Sequence, residues 1–368
     1  MKSIIAHRAQ AFASSEIMSF FAKAKGLANP IDLSIGVPYG EMTPAGRDAA
    51  VKALQAGKTT YTPAGGLVDL RAVVAQKLRQ RNHIAATTDT TIITAGVSAG
   101  LFLAMAAILD PGDEIIIPDP FFLAYRELAV LLDAKPVFLD TYPSFDLDIE
   151  RLTQLISPRT KAVLINSPNN PAGTVYGRET LKSLAAVCRK HDLIVISDEV
   201  YEDFVFAGEH VSIGSMYQPT ITLNGFSKNH AMTGLRIGYA HSTPEIIAAM
   251  TELEQFVFFS NSSVAEHAAK AVLGVSTEPA MQHYAKNREY IMEHLNPAYT
   301  YSGSMGSFFF FIKHPTLNGR EVAEKALAEQ LVVIPGDLFS LKTTHFRVSY
   351  ATSLNNLAAG IDILNKLI

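Results

Sequence analysis

The chain has 368 residues, 48% hydrophobic and 18% charged, with a net charge of −4. That length suits one large domain plus a smaller one, in an ordinary globular balance. The absence of any basic run points away from a nucleic-acid face.

In chain order, "MKSIIAHRAQ" has an apolar run of only three residues before histidine and arginine, which is no signal-peptide pattern. The segment to about residue 40 is expected to carry its own helix and to pack with the C-terminal end. "TIIT" at 91–94 precedes "GVSAGLFLAMAAIL", and "DEIIIPDP" precedes "FFLAYRELAVLLDA" and then "KPVFLDT". The stretch "SAGLFLAMAAILDPGD" is too short to span a bilayer and stops at a Pro-Gly turn. "KAVLINSPNNP", "DLIVISDEVY", "TITLNGFSK" and "LRIGYAHS" follow. Runs of four to eight residues rich in Val and Ile, bounded by turn residues, read as buried strands. Helical patterns between them imply a mostly parallel sheet between helices. Cys188, the only cysteine, falls on the apolar side of "LKSLAAVCRKH", so it reads as a structural thiol. Without a disulfide framework the expected compartment is the cytoplasm. "MQHYAKNREYIMEHL" reads as one long helix, and "GSFFFFIKH", "LVVIPGD" and "HFRVSYA" as strands of a smaller α+β unit. The expected division is a large domain over 40–282 and a small one from 1–39 and 283–368.

Ligands of open parallel sheets bind outside the carboxyl ends of the strands. After "TIIT" come Gly96, Val97, Ser98 and Ala99 at a helix start, where small residues and free N–H groups suit an anion. Asn170 follows "AVLIN", Asp198 and Tyr201 follow "LIVIS", and Ser227, Lys228 and Arg236 follow "TITLN". Each has a plainer reading: a surface lysine, a helix cap, a core tyrosine, a turn asparagine, half of a salt bridge. Those readings do not account for the joint arrangement. A lysine amine, an acid, a phenol, an amide and a phosphate-sized anion site together fit pyridoxal phosphate. The amine would form a Schiff base with its aldehyde, and the acid would hold the proton on its ring nitrogen. "PDPFF" offers an aromatic partner for the ring.

"SPNNPAG", "SDEVY" and "FSKNHAMTGLRIGY", in this order and spacing, resemble the class I/II aminotransferases of pyridoxal-phosphate fold type I. The resemblance runs from "IDLSIGVP" to "HFRVSYA", nearly the whole chain. It implies that Lys228 is the Schiff-base lysine, Asp198 the pyridinium partner and Tyr201 a donor to the ring oxygen, assisted by Asn170. Phe122 would stack on the ring, and Arg236, Ser227 and Ser98, with the N–H groups around Val97–Ala99, would hold the phosphate. Tyr61, in "YTPAGG", matches a tyrosine that reaches the neighbouring subunit's phosphate, so a homodimer with shared sites is implied. Arg347 matches the arginine that grips the substrate α-carboxylate, assisted by Gly36 and Asn170. No metal is implied. Gly225 stands where relatives often carry a hydroxyl, Ala172 departs from the "NPTG" pattern, and Leu235 stands where many have tryptophan.

A carbon–sulfur β-lyase of the same fold would keep the same lysine, aspartate and tyrosine, and an idle cofactor-binding module is a third reading. The donor side chain is expected to be neutral or aromatic. The distal-carboxylate arginine of aspartate enzymes falls near Phe256 here, and the lysine another subgroup uses falls at Ser98. Phe256, Phe258 and Phe259, with Ile17 and Tyr39, are candidates to line that pocket; ordinary core is the plainer reading of the phenylalanines.

Overall fold

The computed structural model describes residues 4–6 and 26–368. The expected N-terminal helix and Ile17 lie outside the described residues. Seven strands form the large sheet in the order β2-β8-β7-β6-β5-β3-β4. They are β2 (Thr91–Thr94), β3 (Glu114–Asp119), β4 (Lys135–Asp140), β5 (Thr160–Asn166), β6 (Ile194–Asp198), β7 (Thr220–Gly225) and β8 (Gly238–His241). Neighbours pair in parallel except where β8 meets β2 and β7.

Alternation explains why this sheet is sandwiched. Ile115 and Ile117 of β3, Leu164 of β5 and Ile196 of β6 join one apolar cluster, with the helix Gly96–Ile108. Their chain neighbours Ile116, Val163, Ile165 and Val195 face the other side, against Leu181, Leu184 and Cys188 of the helix Arg178–Lys190. A period of two on strands with both faces covered yields the continuous apolar runs of the sequence. Helix positions 181, 184, 185 and 188 form one stripe, so Cys188 is core, and burial pushes its thiol up to about 12.

A second, four-stranded antiparallel sheet runs in the order β12-β13-β10-β9: β9 (Thr300–Tyr301), β10 (Phe309–Lys313), β12 (Ile334–Pro335) and β13 (His345–Ser349). Its Phe309, Phe310, Ile312, Phe346 and Val348 share a core with Leu33 and Leu357. Leu33 arrives because β1 (Ile31–Asp32) pairs in parallel with β11 (Leu331–Val332), which ties the segment before residue 40 to the C-terminal strands. The long helix spans Glu278–His294, three residues earlier than "MQHYAKNREYIMEHL" begins, because a proline in its first turn starts it. No described helix is long and apolar enough to cross a membrane.

Candidate active site

Three adjacent strands, β5, β6 and β7, set the floor of a cavity of about 340 Å³. Asn166 and Asp198 end their strands as register partners, and Lys228 follows the end of β7 by three residues. Each strand therefore delivers one polar group to the same mouth.

Asp198 is buried. Its Oδ2 accepts from the Tyr125 hydroxyl at 2.8 Å, and its Oδ1 from the Val200 N–H at 3.2 Å. Burial pushes its carboxyl up to about 6, against the pull of those bonds and of Lys228. Lys228 Nζ donates to Gly36 O at 2.5 Å and stands 5.9 Å from the Tyr201 ring centroid. Burial, then the charges of Arg347 and Arg236, bring its ammonium down to about 8, although Asp198 opposes this.

Arg347 enters from β13 of the other sheet. Its guanidinium lies 4.3 Å from the ring centroids of both Phe309 and Phe339. Nη1 donates to Asn170 Oδ1 at 2.9 Å and Nη2 to Ser34 O at 2.7 Å. Ser34 is thus its backbone partner, while the nearby Gly36 carbonyl accepts from Lys228. Burial lowers the guanidinium to about 10. Asn170 is itself held by its N–H donating to Asn166 Oδ1 at 2.8 Å.

At the opposite rim the helix Gly96–Ile108 begins at Ala95 without a side-chain cap, which leaves its first-turn N–H groups to another acceptor. Gly96 has φ +79°, and a Cβ there would stand 2.6 Å from Arg236 Nη2, so only glycine lets the guanidinium lie this close. Arg236 also donates to Thr233 O at 2.8 Å. At Gly225 a Cβ would meet Val97 Cγ2 and Gly238 Cα at 3.1 Å, a physical reason for the missing hydroxyl.

Of the residues singled out in the sequence, Gly36, Val97, Ser98, Phe122, Asn170, Asp198, Tyr201, Ser227, Lys228, Arg236 and Arg347 all line this cavity. Ala99 does not line it and is buried in its helix. Tyr61 is 79% exposed and stacks edge-on against Phe259, with centroids 4.7 Å apart. Phe256 is 89% exposed, and Phe258 and Phe259 are also exposed. The three phenylalanines are therefore neither core nor part of the cavity lining. Tyr39 is absent from that lining too, stacking on His283 instead.

Sequence reasoning missed Tyr125, Asn166, Leu123, Ile334, Leu338 and Phe339, which also line the cavity. Tyr125 carries no local signal, since its partner Asp198 stands 73 positions away. Behind the cavity, Glu199, Glu202 and His210 bring ligand atoms within 4.8 Å of one another. Lys77 and Asn82 already occupy Glu202, and Ser197 and Ser212 donate to Glu199.

The family described as "Aminotransferase class I and II" matches residues 28–364. The aspartate/prephenate aminotransferase of Thermus thermophilus is 35% identical over 374 residues, covering 97% of each chain. Aromatic-amino-acid aminotransferase 2 of Thermococcus litoralis is 33% identical, covering 96% of this chain and 95% of its own. A solved aspartate aminotransferase of Thermus thermophilus, a double mutant, superposes with a TM-score of 0.96 at 34% identity, covering 100% of both chains. With a family match and relatives that span nearly the full length, the chain belongs to the class I and II aminotransferases and is an enzyme that transfers amino groups.

Proposed function

We propose that the enzyme uses pyridoxal 5'-phosphate and carries an amino group from a neutral or aromatic L-amino acid to a 2-oxo acid. The observation that supports this most is the single cavity that Asp198, Lys228 and Arg347 share. The residues present fit the cofactor: an uncapped helix start beside Ser98, Ser227 and Arg236 suits a phosphate, and Asp198 suits a protonated ring nitrogen. Tyr201 and Asn170 suit the ring oxygen, and Phe122 the ring face. When bound, the cofactor supplies the carbonyl that accepts the amino group and the electron sink that acidifies the substrate Cα–H.

The chain's own groups do the rest. Arg347 grips the α-carboxylate with its guanidinium fork, and the Phe309 and Phe339 rings fix the plane of that fork. Asn170 keeps the fork in register through its 2.9 Å bond. Orientation then presents Cα–H to Lys228. An amine brought down to about 8 has a larger neutral fraction near neutrality than an ordinary lysine, so it can take and carry the Cα proton. Asp198, ionised above about 6, holds its partner proton in a dry environment where that charge acts strongly.

The substrate side chain is read from what the described cavity lining lacks. Its lining cations are Lys228, Arg236 and Arg347, each with a task already, and Ser98 stands at the helix start. Leu123, Ile334, Leu338 and Phe339 supply apolar wall. A distal carboxylate there would lose several kcal/mol of hydration without a partner. An aromatic side chain gains roughly 1.5–3 kcal/mol from burial. The relatives' names include both aspartate/prephenate and aromatic-amino-acid enzymes, so the wall rather than the family argues the preference.

The exposed aromatic group of Tyr61, Phe256, Phe258 and Phe259 supports a homodimer in which Tyr61 completes the partner's phosphate site. A large domain over 40–282, a small one from 1–39 and 283–368, and a cytoplasmic setting complete the proposal. The test is borohydride reduction of the purified protein followed by peptide mapping, with amino acid alone added in a parallel sample. A pyridoxyl group on Lys228, and its loss after the amino acid converts the cofactor to its amine form, is the expected result. Label on another lysine ends the assignment, and release of pyruvate and ammonia would indicate a lyase.

A further inference from the structure

Two carboxyls away from the cavity have no task in the reaction. Glu254, on the helix Pro244–Val257, and Glu266, on the helix Ser263–Val272, are each 0% exposed. Glu266 is well bonded: Oε1 accepts from the Thr62 hydroxyl at 2.6 Å and Oε2 from the Leu67 N–H at 2.5 Å. Neither carboxyl oxygen of Glu254 has a hydrogen-bond partner among the described residues. The Glu254 carbonyl meanwhile accepts from the N–H groups of Phe258 and Phe259 at 3.0 and 2.8 Å, so the residue sits at the root of the aromatic segment. Glu266 pins both ends of segment 62–67, next to Tyr61, which stacks on Phe259.

We propose that buried Glu254 keeps its own proton while Glu266 is ionised, and that the two carboxyls act as a pH-sensitive latch that positions the Tyr61 segment against the Phe256–Phe259 segment. One charge on Glu266 is carried by its two donors; a second charge on Glu254 would be buried, unbonded and repelled. Burial first, and the charge of Glu266 second, push the Glu254 carboxyl up to about 7. Burial likewise raises Glu266, opposed by its bonds to Leu67 and Thr62.

Among the described residues, the elements packed around Glu254 offer no cation to cancel the effect. The helix Gly96–Ile108 and β2, both packed on the helix of Glu254, contain no ionisable side chain. On that helix itself, Glu245 and Glu252 are exposed. Around Glu266, His267 lowers and Asp69 raises its carboxyl, and Asp69 is already paired with Lys270. Arg47, Asp48 and Lys52 of the adjoining helix Pro44–Gln55 are exposed. On the helix Val68–Arg81, Arg71 is bonded to Thr88 O at 2.7 Å, Arg79 to Ala86 O at 2.5 Å, Lys77 to Glu202 and Arg81 to Asp203. On β8, Tyr239 is buried, and burial lowers the His241 imidazole to about 4.

The sign follows from a raised acid. Between its ordinary value of 4.5 and about 7 the folded state keeps a proton that the unfolded state has lost. Stability therefore falls as pH rises through that window, and the loss is complete above it. The catalytic consequence, a Tyr61 segment that loosens at alkaline pH, rests on the proposed role of Tyr61 at the partner's site.

The test measures Leu67 amide exchange in the wild-type holoenzyme at pH 5.5 and 8.5, corrected for the intrinsic rate. Melting of wild type, Glu254→Gln and Glu266→Gln is followed over the same range. Protection of Leu67 should fall about tenfold or more on going to pH 8.5, the scale set by one or more pKa units. The melting point should fall with it, and Glu254→Gln should flatten that slope. Unchanged Leu67 protection in wild type, or equal slopes in wild type and Glu254→Gln, overturns the latch. The exchange measurement decides alone if the variants do not fold. Mixing inactive Tyr61→Phe and Lys228→Ala dimers tests the shared site separately. Recovered activity supports the catalytic consequence, and no recovery ends that consequence while the exchange result still judges the latch.

Discussion

The two sheets serve the same cavity in opposite ways. The parallel sheet brings Asn166, Asp198 and Lys228 to it from the ends of three neighbouring strands, each within three residues of a strand terminus. The antiparallel sheet gives Arg347 from the middle of β13, flanked by core residues Phe346 and Val348. Strand ends are where a polar group can leave the core at no cost in packing. A mid-strand guanidinium must be accommodated, and it is: two aromatic faces and two carbonyl acceptors surround it. The first sheet therefore supplies chemistry at its strand ends, whereas the second supplies one rigidly held cation. The difference is testable, because strand-end groups should fail in the chemical step and the mid-strand group in substrate binding.

The largest effect should come from Lys228→Ala. Loss of the proton carrier alone costs about 10²–10⁴-fold in kcat, and loss of the covalent attachment adds to it. Cofactor should still bind through the phosphate groups, so a protein that is inactive yet retains it is the expected outcome. Near-normal turnover would remove Lys228 from the mechanism.

Arg347 should come next. Charge-assisted bonds of this kind are worth roughly 1.5–3 kcal/mol, so Arg347→Ala should lower kcat/KM by about 10²-fold or more, mainly through KM. Arg347→Lys should recover little, because an ammonium lacks the fork. A second readout follows from its charge, which helps to bring Lys228 down to about 8. In Arg347→Ala the pH at which apoprotein captures cofactor half-maximally should rise, since the lysine then keeps its proton longer. A kcat loss with unchanged KM, and no shift of that profile, would contradict the contrast between the sheets.

The same contrast explains what the sequence revealed. Val- and Ile-rich runs with small or polar residues after them mark parallel strands and their ligand ends, so the positions of Asn170, Asp198 and Lys228 could be read locally. Arg347 could not, because "HFRVSYA" is an ordinary strand until topology brings it across to Asn170; only the family resemblance singled it out. Tyr125 was missed because its meaning lies in the 2.8 Å bond to Asp198, a residue 73 positions away. Phe256, Phe258 and Phe259 read as core or pocket because apolar side chains usually go inside, and composition alone does not tell an outward-facing cluster from a buried one.

The smallest expected effect concerns the substrate side chain, and it sharpens the role of the cavity wall. Ser98 lies at the uncapped start of the helix Gly96–Ile108 and lines the cavity, but it is exposed rather than packed. A lysine there would add what the described lining lacks, a cation without a prior task. In wild type, kcat/KM for phenylalanine or methionine should exceed that for aspartate with a common acceptor, because the aspartate side chain enters an apolar wall unpaired. Ser98→Lys should raise aspartate use by about tenfold, the gain of an ion pair near a cavity mouth worth roughly 1–1.5 kcal/mol. The readout is the ratio of aspartate to phenylalanine kcat/KM, because loss of the Ser98 hydroxyl from the proposed phosphate site affects both donors alike. If wild type already prefers aspartate by tenfold, a cation outside the described lining reaches the substrate, and the wall does not set the preference. If Ser98→Lys leaves the ratio of the two donors unchanged, the side-chain pocket opens away from the helix start, toward Ile334 and Phe339.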